Sequence, residues 1–195
     1  MKSTIVLLLC LTNCHASVNF ETEPEWLWDG ENNAGEFEMN KDNTRAENLS
    51  NELRSIACQK PIEDRVMYIV QIDPNGDVPI GVGFLPSTTI IGSGQQILGQ
   101  SHAGCLGDGY SYWSDGSFCH NHPAGMCPKP LLKYRPGDAI AMVIDTHKRT
   151  ISVMMNSGKG PEQIVAENIN PGAYVFTMVA TKKGAAKIVS VERLG

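Results

Sequence analysis

The sequence predicts an all-β protein, a two-sheet antiparallel β-sandwich with a short N-terminal helix. Three observations lead there. Ala139 to Ile144 is an apolar run rich in β-branched residues and too short for a confident helix, and after the polar break Asp145 to Arg149 the stretch Thr150 to Met155 alternates again. Between Val66 and Glu192 many further short runs are separated by Gly, Pro, Asn and Asp. Of the 195 residues 42% are hydrophobic, which permits one domain with a real core.

The hairpin comes first because the rest is organised around it. Gly137-Asp138 is turn chemistry, since Gly tolerates positive φ and an Asp side chain can bond the backbone that follows. Ile140, Met142 and Ile144 fall on one face of the first strand and Ala139, Ala141 and Val143 on the other. Both faces are apolar, so this strand is expected in the middle of a sheet and covered on both sides.

Along the chain, Lys2 precedes the run Ile5 to Leu11, and small residues at Cys14 and Ala16 precede Ser17. This is the pattern of a secretory signal peptide over residues 1–16, with a run too short to span a bilayer. A lipoprotein signal acylated at Cys14 is the rival, disfavoured by Asn13. The expectation is a secreted, extracellular protein without membrane insertion. Residues 17–57 form an acidic arm of net charge −7 that includes the short helix, whereas residues 58–195, the sandwich, carry +1 within a total of −5. That balance argues against nucleic acid as a partner, because phosphate neutralisation needs a basic patch.

Ser17 to Asn43 reads as flexible, apart from Trp26-Leu27-Trp28, which either tacks the arm to the sandwich or docks a partner. Thr44-x-x-Glu47 has capping-box spacing, and Leu49, Leu53 and Ile56 recur at helical intervals, which predicts a helix from about Thr44 to Ala57. Asn48-Leu49-Ser50 is the one glycosylation sequon, plausible in a secreted chain.

Strands are expected at Val66–Ile72, Ile80–Leu85, Thr88–Ile91, Gln95–Gly99, Gly109–Trp113 and Ser117–His120. After the proline-bearing loop Asn121–Tyr134 and the central hairpin, three more follow near Gln163–Ala166, Ala173–Ala180 and Ala186–Glu192. Beyond the leader the cysteines are Cys58, Cys105, Cys119 and Cys127, which allow three disulfide connectivities. A Cys119–Cys127 bridge would clip the proline-rich loop and leave Cys58 with Cys105; Cys105–Cys119 stays open. Zinc is the competing use of these thiols with His102, His120 and His122, but no Cys-x-x-Cys spacing supports it, so no metal and no cofactor are expected.

Several stretches together resemble the SPRY domain, a concanavalin-like two-sheet sandwich. Gly137-Asp138, Asp145, Thr150-Ile151-Ser152 and Asn156 match its signature hairpin. Val153 replaces the usual aromatic residue, and Asn156-Ser157-Gly158 stands for Asn-Gly. Gly81-Val82-Gly83 resembles the family's glycine strand, Gly109 to Gly116 its aromatic strand, and Ala173 to Phe176 its Tyr-Pro-x-Val strand without the proline. The resemblance covers about residues 66 to 195. It implies a non-catalytic module that recognises a protein or peptide through loops at one end of the sandwich.

On this reading the binding candidates are Tyr110, Tyr112 and Trp113 with His102, His120 and His122, because aromatic and imidazole groups suit a compact recognition patch. The bland alternative keeps Trp113 and one tyrosine in the core, as alternation along a strand requires. A lectin-like carbohydrate site is the second reading. A serine hydrolase around Ser101, with His102 and Asp108, is the third, but Gly99-Gln100-Ser101-His102-Ala103 lacks the following helix that makes a nucleophile elbow.

Overall fold

In the computed structural model residues 26–30, 37–77, 79–88, 109–120 and 131–195 are described. The leader 1–16, Ser101, His102, Cys105, Asp108, His122, Cys127, the strand expected at Gln95–Gly99 and nearly all of that at Thr88–Ile91 lie outside them. Local turn chemistry and alternation place twelve strands among the described residues. They are β1 (Phe37–Met39), β2 (Arg45–Asn48), β3 (Arg54–Ala57), β4 (Arg65–Ile72), β5 (Ile80–Pro86), β6 (Tyr110–Trp113), β7 (Phe118–His120), β8 (Ala139–Asp145), β9 (Thr150–Met155), β10 (Gln163–Glu167), β11 (Tyr174–Ala180) and β12 (Ala185–Arg193). Their pairing is antiparallel throughout, in a seven-stranded sheet ordered β1-β2-β12-β4-β8-β9-β10 and a five-stranded sheet ordered β3-β11-β5-β6-β7.

The signature hairpin is β8–β9, with Ile144 opposite Ile151. Asp145 holds its turn by accepting the Lys148 amide at 2.8 Å, while Arg149 takes the left-handed conformation at φ 57°. The Pro136-Gly137 turn before β8 is closed the same way: Gly137 sits at φ 93°, and Asp138 accepts the Arg135 amide at 2.7 Å. Ile140, Met142 and Ile144 pack into the core between the sheets, and Ala141 and Val143 are buried on the opposite face.

Between the sheets, Tyr68 of β4 and Phe176 of β11 stack at 4.2 Å, and Phe84 meets Phe176 edge-on at 5.5 Å. The five-stranded sheet carries a second, smaller cluster on its other face, built from Trp113, Leu85, Val175 and Val179. The glycine strand is explained by these contacts. A Cβ on Gly83 would lie 1.8 Å from the Tyr110 carbonyl oxygen, and one on Gly81 would lie 2.9 Å from the Trp113 ring.

Four expectations are corrected here. The helix over Thr44–Ala57 is instead β2, a turn and β3: β2 pairs with β1 and β12, and β3 with β11. Leu49, counted in the helical stripe, is 51% exposed. The described part of the arm is also more ordered than its composition suggests, since Phe37–Met39 is a strand and Trp26 and Trp28 are buried. Trp28 stacks on Phe176 at 5.7 Å, so the pair tacks the arm to the sandwich.

Asn48, the sequon residue, is fully buried. Its Nδ2, the atom a glycan would occupy, donates to the carbonyls of Glu52 (2.8 Å) and Ala180 (2.7 Å), while its Oδ1 accepts the Ser50 amide. The folded chain therefore gives a glycan no access at this residue. Cys58 is a buried free thiol, so the Cys58–Cys105 pairing does not hold. Burial pushes this thiol far above its ordinary pKa, which keeps it protonated. Cys119 is disulfide-bonded, and the sulfur it joins lies outside the described residues.

Candidate functional site

At one end of the sandwich the chain leaves β5 and β7, enters β6 and β11, and turns between β8 and β9. The connection 168–173 arrives there as well, and Ile62 joins it by exchanging backbone hydrogen bonds with Tyr174. Several of the junctions among the described residues are fixed by specific bonds. Tyr110 and His120 are cross-strand partners whose rings stack at 3.8 Å and 12°. Nδ1 of His120 lies 3.2 Å from the Gly109 carbonyl, which can only accept, so this nitrogen carries the proton. Tyr174 meets Tyr110 edge-on at 6.1 Å.

The loop above these rings is tied down from both sides. Tyr174 donates its hydroxyl proton to the Asn170 carbonyl at 2.6 Å, and the Asn170 amide points at the Tyr110 hydroxyl oxygen at 3.3 Å. From the β8–β9 turn, Arg149 donates through Nε to Ile169 O (2.7 Å) and through Nη2 to Asn168 O (3.1 Å). Asn168 at φ 57° and Gly172 at φ 137° give the loop its reversals. Thr146 reaches Glu63 O at 2.6 Å, and His147 faces Asp64 at 3.3 Å, so the 59–64 segment belongs to the same surface. The result is an aromatic layer that braces a rim of exposed polar side chains, among them Asp64, His147, Asn168 and Asn170.

Placement of the expected site residues is uneven. His120 lies at this end, half-buried under its stacking partner. Tyr110, Tyr112 and Trp113 are 2%, 1% and 0% exposed, so their rings build the interior and present no surface. Both faces of β6 are covered, and more of it is core than alternation alone suggests. Trp113 Nε1 donates to Ser111 Oγ at 2.9 Å on one face. On the other, the Tyr112 hydroxyl donates to the Leu132 carbonyl and lies 3.8 Å from Met155 Sδ. Burial, and after it the Asp138 carboxylate, push the Tyr112 hydroxyl up to about 12. Sequence reading missed Arg149, Asn170 and Tyr174; only Tyr174 left a signal, through its place in the Ala173–Phe176 strand.

Among the described residues no group of three or more His, Cys, Asp or Glu side chains is placed to hold a metal ion, and no helix is long and apolar enough to cross a membrane.

No family model matches this sequence, and no curated protein matches it. Solved structures do match. The SPRY domain of human HERC1 superposes with a TM-score of 0.66 at 17% identity, over 83% of this chain and 96% of that one. The TRIM65 PSpry domain gives 0.60 at 11% identity, over 84% and 91%. A human SPRY domain gives 0.52 at 14% identity, over 78% and 94%. The fold is of the SPRY type.

Proposed function

We propose that this chain, a SPRY-type sandwich, is a secreted, non-catalytic module that binds a protein or peptide partner across the loops at the His120 end. The observation that carries this reading is the braced rim. Tyr110, His120 and Tyr174 form a rigid floor, and Arg149 and Asn170 pin the connections above it. Loops held by a sheet at both ends keep a fixed shape while their exposed side chains are free to be selected for a partner. A preformed rim also lowers the ordering cost of association. The exposed groups are polar and mix both signs of charge with the uncharged Asn168 and Asn170, which suits recognition of a folded surface or peptide better than of a polyanion. The pattern of residues 1–16 supports secretion.

Affinity capture with residues 17–195 tests the proposal. Asn170→Arg and His147→Ala at the rim are compared with Lys182→Glu at the opposite end, each checked for an unchanged thermal melt. The rim changes are expected to weaken retention of the captured protein by at least about tenfold, and Lys182→Glu to leave it unaltered. Retention that ignores the rim changes, or binding confined to a glycan array, would overturn the reading.

A further inference from the structure

The lateral side of the sandwich where both sheets stop offers a second kind of surface. Among the described residues β10 ends the seven-stranded sheet and pairs only with β9, and β7 ends the five-stranded sheet beside it. Between them runs a cavity of about 340 Å³ lined by Phe118, Leu131 and the whole of β10. A smaller one of about 160 Å³ continues it through the shared Leu131 and Gln163 to Leu132, Met155 and Pro161. Its lips carry two of the most exposed large apolar side chains among the described residues, Leu132 at 68% and Ile164 at 52%.

Two features say what kind of occupant fits. A terminal strand presents main-chain N–H and C=O groups that only another extended chain satisfies in series. The pairing of β10 with β9 is broken by an irregularity between Ile164 and Ala166, which limits such addition to a short segment. The second feature is charge. Glu162 and Glu167 bracket the strand, and there is no Lys or Arg between Gly160 and Thr181. Ser152 donates to Glu162 at 2.5 Å and Arg65 lies 3.7 Å from it, while Glu167 is exposed. Pairing two copies of this edge would bring like charges together, which disfavours self-association.

We propose that β10 is a docking edge for an extended segment of another protein, apolar in its middle and basic at its ends. The segment adds to the larger sheet and places side chains in the Phe118–Leu131–Ile164 groove. This surface meets the rim only where Glu167 passes into Asn168, and its test, read on Ile164 and the β10 amides, does not depend on the rim's partner.

The probe is the peptide Lys-Val-Thr-Val-Thr-Val-Lys with blocked ends, alongside a copy N-methylated at both threonines and a copy with Glu in place of Lys. Hydrogen exchange read by NMR on residues 17–195 is expected to show fast exchange in β10 amides not bonded to β9, and slowing when the peptide is added. N-methylation and Ile164→Lys should each weaken binding by about tenfold or more. Glu167→Lys should reverse the preference between the Lys-ended and Glu-ended peptides. Absence of saturable binding, or binding indifferent to N-methylation, overturns the proposal. Slow exchange along β10 in the free chain overturns it too, because the edge is then already covered or, where protection grows with concentration, paired with a second copy.

Discussion

Along one side of the sandwich, where β1 and β2 face β3, the segment 26–30 crosses from sheet to sheet. Trp28 bonds its amide to the Asn43 carbonyl and bridges Cys58, and the Asp29 amide reaches Ala57. Trp26 packs on Tyr68, with Lys60 and Arg193 over its ring. Along the opposite side, β7 and β10 leave an apolar groove between them with Ile164 and Leu132 exposed. The same architecture thus has one edge plugged by two indoles and another that, among the described residues, no further strand pairs and where apolar side chains are exposed. The difference teaches where stability and where adaptability reside: substitutions of the indoles at the first edge reach the core, and those of Ile164 and Leu132 at the second alter the surface.

The sharpest way to break this contrast is Trp28→Ala. The side chain is 1% exposed and stacks on Phe176, so its loss is expected to cost about 3–5 kcal/mol in urea unfolding. The same change should expose Cys58, which is expected to resist a maleimide in the parent chain and to react readily in the variant. A melt and a labelling rate that match the parent would show that the plug is not needed.

Asn48→Ala, next in size, leaves the carbonyls of Glu52 and Ala180 without their donor and should cost about 1–3 kcal/mol. Chain secreted from eukaryotic cells is expected to show no mass shift at Asn48 on deglycosylation. A glycan found there on native, folded material would contradict the burial described.

Acid titration sharpens the comparison further, because the plugged side also holds the ion pairs of Arg45 with Asp73 (2.5 Å) and Glu47 (2.6 Å). Burial alone would raise the Asp73 carboxyl, but the Asn75 amide and Arg45 outweigh it and hold it below the ordinary carboxylate value. The folded pKa therefore lies below the unfolded one. The stabilisation is complete above the unfolded value near about 3.9 and is lost as pH falls through the folded value. Asp73→Asn should lower stability at neutral pH by less than about 1 kcal/mol and flatten the dependence below about pH 4. An unchanged acid limb would place the acid sensitivity elsewhere.

The smallest effect belongs to the open edge. Ile164→Ser should leave the melt within about 0.5 kcal/mol of the parent. A loss comparable to that of Trp28→Ala would mean the two edges are not different in kind.

Much of this was legible in the sequence. β4, β5, β8, β9 and β11 stand close to where alternation and turn residues put them, because Asp-Pro-Asn-Gly at 73–76, Gly137-Asp138 and Asp145 act over a few residues and their effect is carried in the local chain. Gly81 and Gly83 marked a strand where other residues do not fit. The Thr44–Ala57 helix failed for the opposite reason. Capping-box spacing and a leucine stripe are local signals, and they lost to pairing of β2 with β12 and of β3 with β11, partners more than a hundred residues away. β6 resisted a one-sided reading too, since alternation says that two faces exist and not that both are covered.

By itself the sequence determined the strand-and-turn grammar and the hairpin at β8–β9, which follow from nearest-neighbour chemistry and the period of two, while the SPRY-type architecture was legible only through the resemblance of its motifs to that family. Only the tertiary structure decided that Asn48 is a structural donor, that Cys58 is a lone buried thiol, that Trp28 plugs one edge and that Ile164 lines the other. Burial and partnership are properties of chain segments brought together from far apart, and no spacing along one segment encodes what will be packed against it.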